Sequence, residues 1–243
     1  MQHLLRNKIN FICIIFAFVP ACGFAQRGYE INLPDHDDKQ FHFGINLGIN
    51  RSHYNITHHP NFLSFDSVNV IESINSTGLN LAWLVNMRIT EHIDIRLFPA
   101  NLVFTEKAFQ YKLRFPDKPA GEDSVTIKKV TGITLAFPLQ FKYTSDRIEN
   151  FKVYMMAGGK IEYDLAANSG KKNIDDALTL KKLDYGLEAA IGFHFYFPVF
   201  VLTPELKIGY GLRNVHDRNP KTKFSGNIDE INSRTLTFSL TVE

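Results

Sequence analysis

Along most of this chain apolar and polar residues take strict turns, the period-two pattern of a strand with two unlike faces. Phe41, Phe43, Ile45, Leu47 and Ile49 alternate with His42, Gly44, Asn46, Gly48 and Asn50. Leu79, Leu81, Trp83, Val85, Met87 and Ile89 alternate with Asn80, Ala82, Asn86 and Arg88, with Leu84 the apolar exception. Ile93, Ile95 and Leu97 then face away from Asp94 and Arg96. The apolar phase moves afterwards to Leu102 and Phe104, which predicts a bulge at Pro99. Segments 133–143, 151–165, 185–195, 202–213 and 235–242 carry the same alternation, so eight strands are expected, an even number.

Alternation also suits a soluble sandwich or a lipocalin-like barrel, but three features favour a membrane. Many segments run to ten residues or more, matching the ~9–11 of a tilted membrane strand and exceeding the ~5–6 of a soluble one. The apolar phase of the central segments carries no charge, while nearly every opposite phase carries one. Such a barrel is inside-out, with lipid outside and charges in the lumen. Connection lengths also alternate: 90–91, 144–150 and the corner at Pro198 are short, whereas 51–77, 115–124, 168–180 and 214–229 are long. Short periplasmic turns and long outer loops give this asymmetry, with both termini in the periplasm. The expected fold is therefore all-β, an eight-stranded antiparallel transmembrane β-barrel of the bacterial outer membrane. Phe141, Tyr143, Phe151, Phe195, Phe197 and Phe200 gather where its periplasmic interface would lie.

The N-terminus adds an export signal. Arg6 and Lys8 precede an apolar stretch from Phe11 to Val19, and Gly23-Phe24-Ala25 offers small residues for cleavage after Ala25. That stretch is far short of the ~20 residues of a membrane-crossing helix. Val19-Pro20-Ala21-Cys22 also admits a lipoprotein reading, which the proline fits poorly. The expected division is residues 1–25 as signal peptide, 26–40 as a periplasmic leader and 41–243 as barrel. Cleavage removes Arg6 and Lys8 from a formal charge of +2, together with the only cysteines, Cys13 and Cys22. A near-neutral chain argues against nucleic-acid binding, and a thiol-free one needs no disulfide.

Candidate chemistry concentrates on the lumen phase, which supplies Arg88, Asp94, Arg96, Lys142, Lys160, Glu162, Asp164, Asp184, Glu188, Glu205, Lys207 and Arg213. Mixed charges enclosed together should pair, giving an ionic plug; a gate or narrow solute path is the other reading, and mixed signs argue against ion selectivity. His53, His58 and His59 have no carboxylate or cysteine at ligand spacing, so no metal is expected. A lipid-modifying enzyme would need a nucleophile and base at the rim. Ser76, Thr77 and His53 could meet there, but nothing in their spacing requires it. No catalytic residue, cofactor or small-molecule substrate is expected.

Two stretches resemble the PorT/SprT family of type IX secretion and gliding-motility proteins from Bacteroidota. One is Asn32-Leu33-Pro34-Asp35-His36-Asp37-Asp38-Lys39 running into 41–50; the other is Phe137-Pro138-Leu139-Gln140-Phe141-Lys142-Tyr143 followed by Ser145, Arg147 and Asn150. Weaker echoes are Gly158-Gly159-Lys160 with Tyr163-Asp164, and Pro204-Glu205-Leu206-Lys207 with Gly211 and Asn214. The resemblance covers essentially the whole mature chain. It implies a non-enzymatic outer-membrane barrel that assists protein secretion, and gliding where present, in contact with outer-membrane lipid and other type IX components. It carries over no catalytic residue. Leu33, Pro34, Asp35, Asp37, Asp38 and Lys39 are then the candidates for docking a periplasmic partner. The alternatives are a stand-alone barrel with binding loops, or a small pore. Glu243 departs from the aromatic ending common to outer-membrane barrels.

Overall fold

The computed structural model describes residues 30–60, 68–114, 116, 124–166, 180–217 and 225–243. The expected signal peptide lies outside them, as does much of the long connections 115–124, 168–180 and 214–229. After a 3-10 turn, Pro34–His36, the chain forms β1 (Phe41–His58), β2 (Val68–Ile74), β3 (Ser76–Arg88), β4 (Ile93–Leu113), β5 (Val125–Thr144), β6 (Phe151–Asp164), β7 (Leu183–Tyr196), β8 (Val201–Gly211) and β9 (Ile228–Val242).

Eight of these close an antiparallel ring. β3 to β9 pair in chain order, and β1 lies between β3 and β9 with Leu47 opposite both Leu81 and Leu240. Closure removes the free edges, so every ring strand has a neighbour on both sides. β2 continues the line of β3 beyond Asn75 and pairs with the far part of β4, from Ala108 to Leu113. The register of β4 on β5 slips between Leu97 and Asn101, at the expected bulge around Pro99.

Outward positions form an apolar band. Phe43 is 69% exposed, Trp83 63% and Met155 61%, with Leu79, Leu187, Ile208 and Phe238 similarly bare. A band this large would be an aggregation surface in water; around a closed barrel it is the face that lipid solvates. Inward positions are polar and buried. Asn46 donates to Ser239 (3.0 Å) and Thr241 (2.8 Å) and accepts from Asn80 (3.0 Å), a polar ladder across three strands. Leu84, the exception to the alternation, is buried with Ala82 and Phe98 in a small apolar cluster within the lumen.

Two ends are distinct. The turn end holds the connections 89–92, 145–150 and 197–200 and both described termini; Glu243 exchanges backbone hydrogen bonds with Val201 there. The loop end corrects one expectation. Of the expected loop 51–77, the described residues are mostly strand: β1 continues to His58, β2 occupies Val68–Ile74 and β3 starts at Ser76, and β4, β5 and β9 also extend beyond the expected segments. The cause is an inversion of polarity. Tyr54, Val68, Ile71, Phe109, Tyr111, Leu113, Leu180, Val215, Ile228 and Ile231 pack into one buried apolar cluster, while outward neighbours such as Lys112 and Glu230 are exposed. Past the bilayer these strands follow the rule of a soluble sheet, apolar inward.

Candidate functional site

At the turn end the leader folds back onto the barrel. Leu33 takes a left-handed conformation (φ 50°), which turns the chain into the 3-10 helix and aims Asp37 at the lumen. Asp37 accepts from the Tyr196 hydroxyl at 2.7 Å and pairs with Lys152 at 3.1 Å and Arg147 at 3.5 Å. Burial acts to raise the Asp37 carboxyl. Hydrogen bonds from His36 and Tyr196 and the Lys152 charge outweigh it and hold the group well below the usual carboxylate range.

Arg147 and Asn150, in the turn between β5 and β6, grip the same segment. Arg147 donates to the carbonyls of Asn32 and Leu33, and its guanidinium stacks 3.8 Å from the centre of the Tyr196 ring. Asn150 accepts from the Asn32 backbone at 2.8 Å and donates to the Glu30 carbonyl at 3.0 Å. Arg88 donates to the Asp37 carbonyl and lies 3.6 Å from Asp38. The six leader candidates are thus sorted by direction. Asp37 is turned inward and engaged; Leu33 is half-buried; Pro34, Asp35, Asp38 and Lys39 are exposed.

Behind this clasp the lumen charges fall into three groups. Nearest is Asp94, which pairs with Lys142 at 3.0 Å and accepts from Asn86 at 3.0 Å. At mid-height Glu205, fully buried, accepts from Arg96 at 2.9 Å and Tyr154 at 2.7 Å and pairs with Lys207 at 3.2 Å. Glu243 reaches the other side of Arg96 at 3.5 Å. Toward the loop end Lys160 meets Glu162 at 2.8 Å, Lys107 meets Asp164, Gln140 donates to Glu188, and Ser233 donates to Asp184 at 2.8 Å. Arg213 lies past the end of β8, apart from these groups, its carbonyl accepting from Asn232.

Sequence reasoning passed over Lys107, because it ended the third strand segment near Phe104, and it gave no role to Arg147, Lys152, Tyr154, Tyr196 or Glu243. Lys152 and Tyr154 do stand on the lumen phase of 151–165, a signal available to a fuller reading. Ser76, Thr77 and His53 do not converge: Ser76 is buried on the lumen side, Thr77 is exposed, and His53 shares a hydrogen bond with Asn75 at 3.0 Å.

Packing around Glu205 is tight. A Cβ on Gly192 would stand 2.3 Å from the Tyr154 ring. Gly192→Ala is expected to push Tyr154 away from Glu205 and to cost about 1–3 kcal/mol, the usual range for overpacking, readable as a lower urea midpoint in lipid vesicles. The turn-end cavity beside His42, Asn86 and His194 holds about 40 Å³, room for a few waters. A polypeptide does not fit.

A family model described as an outer membrane protein beta-barrel domain matches residues 24–217. No curated protein sequence matches the chain. Among solved structures it is similar to Neisserial surface protein A, at 12% identity over 84% of this chain and 99% of that one, with a TM-score of 0.42. OprG from Pseudomonas aeruginosa is similar at 12% identity over 82% and 94%, TM-score 0.45. Ail of Yersinia pestis, solved with the heparin analogue sucrose octasulfate, is similar at 11% over 84% and 99%, TM-score 0.40. With most of its length matched, and with a closed ring that is apolar outside and charged within, the chain belongs to the outer membrane protein beta-barrel domain family.

Proposed function

We propose that this barrel is a non-enzymatic, non-conducting accessory of type IX protein secretion, with its turn end and both termini in the periplasm. The observation that carries the reading is the clasp. The two stretches most similar to the PorT/SprT family, 32–39 and the segment ending at Arg147 and Asn150, are over a hundred residues apart and are built against each other across the turn-end mouth. Their union leaves Asp35, Asp38 and Lys39 outward as a small charged surface on a held segment. A lumen filled by paired charges and overlaid at the loop end by an apolar cluster supports assistance rather than conduction. Cargo then crosses through a larger partner, which this protein helps to assemble or stabilise. Lipid and other secretion components are its partners in this reading.

The test is deletion of the gene and complementation with wild type or Asp35→Asn/Asp38→Asn. The expected result is loss of cargo proteins from the medium in the deletion strain, restoration by wild type, and failure of the double variant despite its normal level in the outer membrane. Unchanged secretion in the deletion strain overturns the reading; full restoration by the double variant overturns the leader's part in it.

A further inference from the structure

On β1 and β9 the outward apolar band gives way to adjacent cations. Outward positions on β1 run through Ile45, Leu47 and Ile49 and then change to Arg51 and His53; on β9 they run through Leu240, Phe238 and Leu236 and then change to Arg234. Register sets His53 opposite Arg234 and Arg51 opposite Leu236. Arg51 and Arg234 are therefore diagonal cross-strand neighbours, with backbones about 7–8 Å apart, on the first polar rows beyond the band.

Both arginines are exposed, and among the described residues neither has a carboxylate partner. Arg234 is braced rather than neutralised. Its guanidinium lies 5.1 Å from the centre of the Tyr210 ring, and the Asn55 amide oxygen, turned toward it, accepts at 2.8 and 2.9 Å. Two like charges side by side repel, and an anion between them relieves the repulsion. Guanidinium forks match phosphate oxygens in pairs.

Directly below these cations the barrel wall is concave. A groove of about 820 Å³ runs over Leu236, Ile208, Leu187, Ala189 and Ala157, where the two alanines on adjacent strands leave the wall thin. The one carboxylate bordering it, Glu188, turns into the lumen, where Gln140 donates to it. A cationic head site over an apolar trough fits an amphiphile with a phosphate at its polar end. A free phosphate would have no use for the trough, and a purely apolar ligand none for the arginines.

We propose that Arg51, Arg234 and this groove bind one phosphorylated lipid of the leaflet at the loop end, with phosphate between the guanidiniums and an acyl chain along Leu236 and Ala189. The site is independent of any part in secretion.

The experiment uses the full barrel, refolded in a neutral detergent and titrated with bisphosphorylated lipid A under native mass spectrometry. Wild type is expected to retain one lipid, and Arg51→Gln/Arg234→Gln to bind at least about tenfold more weakly, the loss of charge-assisted hydrogen bonds. Arg51→Lys/Arg234→Lys, which keeps the charge but loses the forks, should bind more weakly than wild type and more tightly than the Gln variant. Lys129→Gln, an exposed cation elsewhere on the barrel, should keep all of it. Heat-modified gel mobility checks that each variant is folded. Equal binding by the Gln variant, equal binding of dephosphorylated lipid A, or displacement of the lipid by inorganic phosphate alone would each overturn the proposal.

Discussion

Glu205→Leu is expected to destabilise the barrel by roughly 3–5 kcal/mol, the cost of breaking a buried ion pair from one side. Glu205 is the hub of the lumen. It has no solvent exposure and receives Arg96, Lys207 and the Tyr154 hydroxyl on its two oxygens. Removing it leaves two cations enclosed, with Glu243 3.5 Å from Arg96. Arg96→Leu should cost less, because Lys207 then still faces Glu205. Replacing Arg96, Glu205 and Lys207 together by apolar residues should recover much of the loss, since desolvated ions in combination contribute little net stability. The measurement is urea unfolding in lipid vesicles. The single tryptophan, Trp83, sits on the lipid face and shifts its emission as the chain leaves the bilayer. An unfolding free energy for Glu205→Leu within about 1 kcal/mol of wild type would show that the lumen stays wet enough to solvate Arg96.

The second large effect is expected at the clasp. Asp37→Asn removes the charge that Lys152 and Arg147 share. It should weaken leader docking by about 2–3 kcal/mol, in the range of charge-assisted hydrogen bonds, with the rest of the barrel intact. Amide hydrogen exchange over residues 32–40 reads this directly: rapid exchange in Asp37→Asn, protection in wild type and in the exposed-site variant Asp35→Asn. The same bond makes docking sensitive to acid. The Asp37 carboxyl in the docked state lies below its ordinary value, so its contribution is complete above the ordinary value. It is lost as pH falls from about 5 toward the depressed one. Protection should therefore be flat at neutral pH and fade in acid for wild type, and be low and pH-independent for Asp37→Asn. A leader that stays protected in Asp37→Asn would mean that the Arg147 and Asn150 contacts to its backbone suffice alone.

The candidate site was legible in part. Alternation marked which charged residues turn away from lipid, and Arg96, Glu205, Asp94 and Lys142 all stand on the phase it assigned. It could not say that Arg96 meets a residue 109 positions away, because phase records a side chain's direction and not its height in the lumen. The leader stood out by its resemblance, yet its six residues looked equivalent until the left-handed turn at Leu33 sent Asp37 inward and left Asp35 and Asp38 outward.

The sequence by itself determined the barrel: eight strands, their inward and outward faces and the short turns at one end. Each of these is a local consequence of two solvents, lipid and an enclosed polar lumen, acting on alternate residues of one strand. Tertiary structure alone decided what depends on distant parts of the chain meeting. It set the β1–β9 register that closes the ring, the partners of each buried charge and the docking of the leader on the β5–β6 turn. It also decided the loop-end extensions, for a physical reason. Beyond the bilayer the outer solvent becomes water, so Tyr54, Phe109 and Ile231 turn inward, and the alternation that marks a membrane strand reverses its meaning.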